Sequence, residues 1–108
     1  MHAINREEMN KMIKDRDGDF VLINVLPPES FNQQHIQSSI NIPLKTQGFA
    51  RRVAEVVGSR DRKIVVYCAN FDCDASTKAA TELEAAGFGD VYDYEGGTKD
   101  WFEHKAVA

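Results

Sequence analysis

Residues 63–76 read KIVVYCANFDCDAS, and three kinds of local structure follow one another within this segment. The continuous apolar run Lys63–Tyr67 predicts a strand that is buried on both faces. A short polar loop comes next. The strong helix formers from Ala75 to Ala86, followed by Gly87 as a terminator, predict a helix. Cys68 therefore lies between the carboxyl end of a buried strand and the start of a helix.

Strand and helix patterns also alternate along the rest of the chain. Before the opening segment, the chain predicts a helix from a capping box at Asn5-x-x-Glu8 through about Lys14, a turn at Asp15–Asp19, a strand at Phe20–Val25, a short helix at Glu29–Gln34 and a short strand at Ser39–Pro43. A further helix then carries Phe49, Val53, Val56 and Val57 on one face, with Gly58 as its C-cap. After the opening segment come a strand at Val91–Tyr94 and a helix at Thr98–Lys105, which Thr98 is predicted to cap. This alternation predicts an α/β fold with a largely parallel sheet. The length of 108 residues indicates one domain, residues 1–108.

Composition excludes several classes of function. The net charge of -4 argues against a nucleic-acid partner, which requires a basic face. No apolar run approaches the length of a membrane span, and the residues after Met1 lack the apolar core of a signal peptide. We therefore expect a cytoplasmic protein without a membrane partner. A reducing cytoplasm disfavours a permanent disulfide and favours a reactive thiol.

The predicted position of Cys68 favours a reactive thiolate. Parallel sheets place ligand sites beyond the carboxyl ends of their strands. A helix N-terminus there supplies unpaired N–H groups and about half a positive charge, which lower the pKa of a thiol from about 8.5. A nest of loop N–H groups requires positive φ; no glycine lies between Cys68 and Gly87, so Asn70 and Asp72 are the candidates. The alternative is that Cys68 is a small buried hydrophobic residue at a strand end.

Two further motifs carry a resemblance. The segment Leu22–Phe31, followed by His35-Ile36 and then Ser39–Pro43, is similar to the first signature of the rhodanese-like (sulfurtransferase) family. Tyr94–Trp101, with its glycine pair and tryptophan, is similar to the second. The chain resembles a single-domain member of that family over nearly its full length. The resemblance implies a three-layer α/β domain whose central, mostly parallel, five-stranded sheet is flanked by helices.

The resemblance also implies an enzyme, a sulfurtransferase whose catalytic residue is Cys68. The Cys68 thiolate would accept a sulfane sulfur, hold it as a persulfide and pass it to a thiol acceptor. The loop would bind that sulfur through its N–H groups. The loop residues that would bind the substrate in this way are Ala69, Asn70, Phe71, Asp72, Cys73, Asp74 and Ala75. The partners implied are a small sulfur donor or a persulfidated protein, and no cofactor is needed.

The chain departs from the family pattern at and near this loop. Asn24 and Leu26 occupy positions that usually carry aspartate and arginine, and the loop lacks the usual glycine and arginine and is about two residues longer. Without an arginine clamp, the phosphatase-like relatives are excluded. Asp72 and Asp74 would repel thiosulfate, a dianion, and would raise the pKa of a nearby thiol. We therefore expect a persulfide, a polysulfide or a protein partner as the donor.

The second cysteine and its neighbours leave alternatives open. Cys73 is either a resolving thiol that forms a short internal disulfide with Cys68, or a partly buried loop residue. Asp74 is predicted to cap the helix that begins at Ala75, with Ser76 as the competing cap. Two other functions therefore stand beside the enzyme. One is a non-catalytic rhodanese-like binding or regulatory module, and the other is a thiol–disulfide redox protein using Cys68 and Cys73.

A metal site is not predicted. It would have to use Cys68, Cys73, His35 and His104, and the two histidines do not follow the spacing of structural zinc motifs. His35 is instead expected to be a partly buried residue that bonds to the backbone. Trp101 is expected to pack in the core behind the Gly96-Gly97 turn, where the glycines supply positive φ or a close backbone approach.

Overall fold

A five-stranded sheet forms the centre of the computed structural model, which describes residues 1–15 and 20–105. The elements are β1 (His2–Ile4), α1 (Arg6–Asp15), β2 (Phe20–Asn24), α2 (Pro28–Gln33), β3 (Ile40–Asn41), α3 (Phe49–Val57), β4 (Lys63–Tyr67), α4 (Ala75–Ala85), β5 (Val91–Tyr94) and α5 (Gly97–Lys105). Within the predicted turn at Asp15–Asp19, Asp15 ends α1 and residues 16–19 lie outside the described ranges.

The strand order is β1-β5-β4-β2-β3, and each of the four pairings is parallel. The predicted α/β fold with a five-stranded sheet is thereby confirmed, and the sheet is parallel throughout. β4 occupies the centre, with β2 and β5 on its two sides. This central position buries both faces of β4, which explains its uninterrupted apolar sequence.

The two faces of the sheet carry separate hydrophobic clusters, which gives the fold its three layers. One cluster joins Val66 of β4 to Val53 of α3 and Leu83 of α4. The other joins Val65 of the same strand to Met9 of α1 and Trp101 of α5, among others. Adjacent residues of β4 thus enter different clusters, as the alternation of side chains along a strand requires.

Trp101 packs in the core as expected. It is buried in the second cluster, and its ring meets that of Tyr94 edge-on with the ring centroids 6.3 Å apart. This is one of the favoured geometries for an aromatic pair. The tryptophan of the second signature therefore has a packing role behind the turn at Gly96-Gly97.

The predicted capping box of α1 and the predicted C-cap of α3 are confirmed, whereas the predicted buried face of α3 is wrong at Val56. Glu8 N–H donates to the Asn5 side chain at 2.8 Å and Asn5 N–H donates to the Glu8 carboxylate at 3.1 Å, which is a capping box. Gly58 ends α3 with φ of 83°. Val56 was expected on the buried face of α3 but is 42% exposed, because Phe49, Val53 and Val57 already fill the contact with the sheet.

None of the helices in the described ranges has the length and hydropathy needed to cross a bilayer.

Candidate active site

Cys68 directly follows β4 and is 1% exposed. Its backbone is held by the first turn of α5, which begins after the neighbouring strand β5. Thr98 N–H donates to the Cys68 carbonyl at 3.0 Å, and Lys99 N–H donates to the Ala69 carbonyl at 2.9 Å. These helix N–H groups have no partner inside their own helix, so the loop carbonyls satisfy them. The end of β4 and the start of α5 therefore fix each other.

The predicted role of Thr98 as a helix cap is wrong. α5 begins one residue earlier, at Gly97. The Thr98 hydroxyl lies 3.3 Å from the Cys68 carbonyl oxygen and donates to it, so the side chain supports the same contact as its N–H. Because Thr98 lies inside α5, after Gly97, it does not occupy the N-cap position.

Gly97 permits this contact. Its φ is 65°, and a Cβ built there would lie 2.3 Å from the Cys68 carbonyl oxygen, where no real atom fits. Both reasons expected for the glycine pair, positive φ and close backbone approach, are therefore present at Gly97. The second signature thus positions the loop that carries Cys68.

Asn70 shapes the loop after Cys68. Its side-chain oxygen accepts from Asp72 N–H at 2.9 Å, and its carbonyl accepts from Cys73 N–H at 3.1 Å. This is an Asx-turn closed by a backbone turn. Two of the N–H groups that were expected to bind substrate, those of Asp72 and Cys73, therefore donate inside the loop in this structure.

The positive φ expected at Asn70 or Asp72 is also absent. Within residues 1–15 and 20–105, Ser38 is the only non-glycine residue with positive φ. The Asx-turn explains the difference, since it bends the chain with ordinary backbone angles. The loop therefore does not form the nest of N–H groups that alternating backbone angles would create.

Ser76 contacts Cys68, and nothing in the sequence marks this contact. Its hydroxyl oxygen lies 3.5 Å from Cys68 Sγ, and the residue is 1% exposed in the first turn of α4. Sequence reasoning considered Ser76 only as a helix cap, and no side-chain cap bond is present at this helix. A hydroxyl eight positions after the cysteine shows no recognisable spacing motif. Only the return of α4 over the end of β4 brings the two together.

Cys73 is joined to Cys68 by a disulfide, and these are the only two cysteines of the chain. Their Cα atoms are 6.4 Å apart, which lies within the usual range for a bridge. The Cys73 carbonyl oxygen is 3.4 Å from Cys68 Sγ, and the Cys73 side chain is partly buried beside the first hydrophobic cluster. Both sulfurs therefore belong to one site.

The two loop acids are exposed to solvent. Asp74 occupies the N-cap position of α4 but its side chain caps nothing, so the predicted cap is wrong. Its backbone, at φ of -97° and ψ of 2°, lies outside the extended region that turns a capping side chain toward the helix. Its carboxylate instead faces Lys78 Nζ at 3.3 Å in an exposed ion pair, which contributes little to stability.

A groove of about 580 Å³ opens beside the loop and brings one cation to it. Its lining includes Ala69 and Asn70 of the loop together with Leu26, Lys99 and Phe102. The Lys99 ammonium is exposed and lies 4.0 Å from Glu103, which is a loose ion pair. A second groove of about 340 Å³, mostly apolar, runs from Leu26 to Ala75. Leu26 therefore separates a charged groove from an apolar one.

Asn24 has a structural role at the position where the family usually has aspartate. It is fully buried, and its side-chain oxygen accepts from Leu26 N–H at 2.9 Å. Asn41 donates from its side chain to the Leu26 carbonyl at 2.9 Å. The two asparagines thus hold the chain as it leaves β2 and set the position of Leu26 between the grooves.

His35 bonds to the backbone as predicted, but it is exposed and not partly buried. Its Nδ1 lies 2.8 Å from the Phe31 carbonyl oxygen, and its ring stacks on that of Phe31 at 3.9 Å. Stacking on α2 places the ring on the surface. Among the described residues no group of three or more potential ligands surrounds a metal position. The side chain of His104 lies outside what the structure describes.

Tyr94, at the end of β5, is hydrogen-bonded to the first turn of α5, which also binds the backbone of Cys68. Its hydroxyl donates to the Asp100 carboxylate at 2.6 Å, across the first turn of α5. Burial, and then this hydrogen bond, raise the pKa of Tyr94 well above its usual value. The tyrosine therefore stays neutral and keeps β5 attached to the start of α5.

The chain belongs to the rhodanese-like domain family, whose family model matches residues 5–104. It is 31% identical over 86 residues to a thiosulfate sulfurtransferase, GlpE, of Pseudomonas syringae, covering 80% of this chain and 76% of the relative. It is 33% identical over 99 residues to the HTH-type transcriptional regulator Rv0324 of Mycobacterium tuberculosis. That match covers 92% of this chain, and the chain spans only 41% of the regulator.

A solved structure shows the same fold. The BH2092 protein of Bacillus halodurans superposes with a TM-score of 0.85 at 23% identity, covering 96% of this chain and 73% of that protein. The predicted family is therefore confirmed by sequence and by fold.

Proposed function

We propose that this protein is a sulfurtransferase that carries a sulfane sulfur as a persulfide on Cys68. The observation that carries the proposal is the placement of Cys68 between the end of β4 and the start of α4, with its backbone clamped by α5. The kinship with a thiosulfate sulfurtransferase supports it. A thiolate at this position faces a helix N-terminus and meets the Ser76 hydroxyl at 3.5 Å.

The loading step is a displacement at sulfur. With thiosulfate as donor, the Cys68 thiolate attacks the sulfane sulfur, a new S–S bond forms, and sulfite leaves with the electrons of the broken S–S bond. A persulfide or polysulfide donor reacts in the same way and releases a thiolate or a shorter polysulfide. A thiol acceptor then takes the outer sulfur from Cys68. No metal or cofactor enters either step.

The loop favours donors other than thiosulfate. Residues 68–76 contain no basic side chain, while Asp72 and Asp74 add two negative charges. Lys99 in the adjoining groove already faces Glu103, and Lys78 already faces Asp74. We therefore place small persulfides, polysulfides or a persulfidated protein ahead of thiosulfate as donors. The reaction suits a reducing cytoplasm, because it requires Cys68 as a free thiolate.

Intact-mass measurement tests the proposal. The Cys73→Ser variant leaves Cys68 as the only thiol of the chain, so any sulfur adduct can be assigned without ambiguity. The reduced variant, incubated with thiosulfate, polysulfide or glutathione persulfide, is expected to gain one sulfur atom that cyanide removes as thiocyanate. A variant with both cysteines replaced by serine serves as the control. Absence of an adduct from all three donors contradicts the proposal.

A thiol–disulfide redox protein is the second candidate, and the bridge between Cys68 and Cys73 favours it. In this case the wild type cycles between dithiol and disulfide with dithiothreitol and an oxidant, yet Cys73→Ser takes up no sulfur from any donor. A sulfur adduct in Cys73→Ser excludes a purely redox role.

A regulatory module is a third candidate, favoured by the relative that is named a transcriptional regulator. Such a module binds a partner and needs no turnover. Under this alternative Cys68→Ser keeps partner binding, whereas the sulfurtransferase loses its activity with the same change.

A further inference from the structure

We propose that Cys73 is an internal acceptor of the sulfur carried by Cys68, and that the product of the reaction is hydrosulfide. The Cys73 thiolate attacks the Cys68 persulfide, closes the bridge between the two residues and expels the outer sulfur. This proposal rests on the proposed persulfide at Cys68 and extends it to the fate of the transferred sulfur.

The loop holds the two cysteines at bonding positions. They are five residues apart and their Cα atoms are 6.4 Å apart, so the strand end and the helix start that flank the loop hold the two residues at a separation that a bridge can span. Cys73 N–H donates to the Asn70 carbonyl, and the Asn70 side chain fixes the intervening turn. Because both thiols belong to one short, hydrogen-bonded loop, their reaction is unimolecular and gains the corresponding rate advantage.

The bond that closes in the structure identifies the sulfur that is attacked. A persulfide offers two targets, the inner sulfur of Cys68 and the outer sulfur. Cys73 is bonded to Cys68 Sγ, the inner sulfur. Attack there makes the outer sulfur the leaving group, and hydrosulfide leaves more readily than a more basic alkyl thiolate.

The resolving step balances in atoms and electrons by itself, and an external thiol reductant is needed only to reopen the bridge afterwards. In the resolving step the Sγ–Sγ bond forms and the bond to the outer sulfur breaks. The outer sulfur takes the bonding pair and one proton and leaves as HS⁻, so the sulfane sulfur is reduced and the two cysteines are oxidised. Two monothiols, or one dithiol, then reduce the bridge and restore both thiolates.

Burial separates the roles of the two thiols. Cys68 is 1% exposed, whereas Cys73 is only partly buried. An external thiol therefore reaches Cys73 more easily, and its attack there releases Cys68 as the leaving thiolate, ready to be loaded again. The geometry thus provides both the release of sulfide and the return to the starting state.

The test uses two donors that do not release sulfide when they load Cys68. Thiosulfate releases sulfite and glutathione persulfide releases glutathione. Reduced, desalted wild type, Cys73→Ser, Cys73→Ala and Cys68→Ser are mixed anaerobically with each donor without added thiol, and thiosulfate is the donor that generates no thiol at all. Intact mass reports the state of the cysteines, and derivatisation with monobromobimane reports free sulfide.

We expect the wild type to lose two hydrogens and to release about one equivalent of sulfide, because one bridge closes per chain. The Cys73 variants are expected to retain one extra sulfur and to release sulfide on the order of tenfold more slowly, since they lack the intramolecular thiol. If the wild type and the Cys73 variants hold the extra sulfur equally and release equal sulfide, the proposal is overturned while the sulfurtransferase stands. If Cys73→Ser takes no sulfur from these two donors or from polysulfide, the sulfurtransferase fails as well.

Discussion

Gly97 and Cys68 form the tightest backbone contact of the site. The contact explains why a motif at residues 94–101 governs a cysteine that lies in a different loop. A side chain at Gly97 would strike the Cys68 carbonyl, and the first N–H groups of α5 would lose the Cys68 and Ala69 carbonyls as acceptors. A residue without a side chain is thus a positioning residue for Cys68, the proposed nucleophile.

Gly97→Ala is expected to destabilise the protein and to slow the loading of Cys68. Positive φ alone costs a non-glycine residue about 1–3 kcal/mol, and the clash with the Cys68 carbonyl adds to this. Gly89→Ala is the matched control, because Gly89 is exposed and nothing lies within 4 Å of the added carbon. Its effect should stay within about 0.5 kcal/mol. Urea unfolding measures both, and equal losses of unfolding free energy contradict the assignment.

Asp72→Asn is expected to speed loading by thiosulfate. Asp72 is an exposed acid in the loop that carries Cys68, so removing its charge reduces the repulsion of a dianion. We expect a rise of about two- to fivefold at low salt, which fades as salt screens the charges. Glu82→Gln removes the same charge about two turns along α4 and should change the rate little. Stopped-flow measurement of sulfite release tests this, and equal rates in both variants contradict it.

At the scale of single residues, the sequence predicts where Cys68 lies in the fold better than it predicts the backbone conformation and contacts of the loop around it. The strand–loop–helix pattern was sufficient to place Cys68. Three details of the site were predicted wrongly or not at all. The positive φ at Asn70 or Asp72 and the cap at Asp74 depend on backbone angles, which the Asx-turn sets locally in the loop. The contact of Ser76 with Cys68 depends on how α4 packs against the end of β4.

At the scale of the elements, apolar runs, helix formers and capping residues predicted every helix of the described chain and four of the five strands. β1 was not found because only Ile4 of its 3 residues is buried, so the strand shows no apolar run. Such a strand is stabilised by pairing with β5, as in the alignment of Ile4 with Tyr94, and not by a pattern of its own. A single sequence therefore locates the elements that carry an apolar pattern, including the short edge strand β3, and leaves an edge strand without such a pattern to tertiary pairing.

Replacing an asparagine by alanine is expected to have opposite effects on stability at the N-cap of α1 and inside the helix. Asn5→Ala removes the side-chain acceptor of Glu8 N–H and should lower the free energy of unfolding by about 0.5–2 kcal/mol. Asn10→Ala, on an exposed position inside the same helix, should raise it by up to about 0.7 kcal/mol through helix propensity. Chemical denaturation of the two variants checks the signs. A loss of equal size at both positions contradicts the capping role.

At the scale of the whole molecule, both hydrophobic clusters meet the site through the central strand. β4 contributes to each cluster and ends at Tyr67, directly before Cys68, so Cys68 is attached to the most buried part of the sheet. On one side Tyr94 and Trp101 support the α5 clamp, and on the other Cys68 itself joins the cluster of α3 and α4. The stability of the fold and the placement of the nucleophile therefore depend on the same contacts.

Tyr94 gives this coupling a pH dependence. Because its pKa is raised in the folded protein, the folded state keeps the phenolic proton where the unfolded chain releases it, above pH of about 10. The stabilisation is complete below that pH and declines as pH rises. Tyr94→Phe should be less stable at neutral pH by about 1.5–3 kcal/mol, through loss of the hydrogen bond to the Asp100 carboxylate. Its disadvantage should shrink by about 1.4 kcal/mol per unit above pH 10, because phenylalanine has no proton to lose.

Urea unfolding at intervals from pH 7 to about 11 measures the difference between the two proteins. Tyr92→Phe is the comparison variant. The pKa of Tyr92 is raised chiefly by its hydrogen bond with Asp90, and this residue is only partly buried. We expect the same sign with a smaller slope. A constant gap between wild type and Tyr94→Phe across this range would show that Tyr94 does not link the proton to the fold. The clamp on Cys68 would then depend on Gly97 and the loop carbonyls alone.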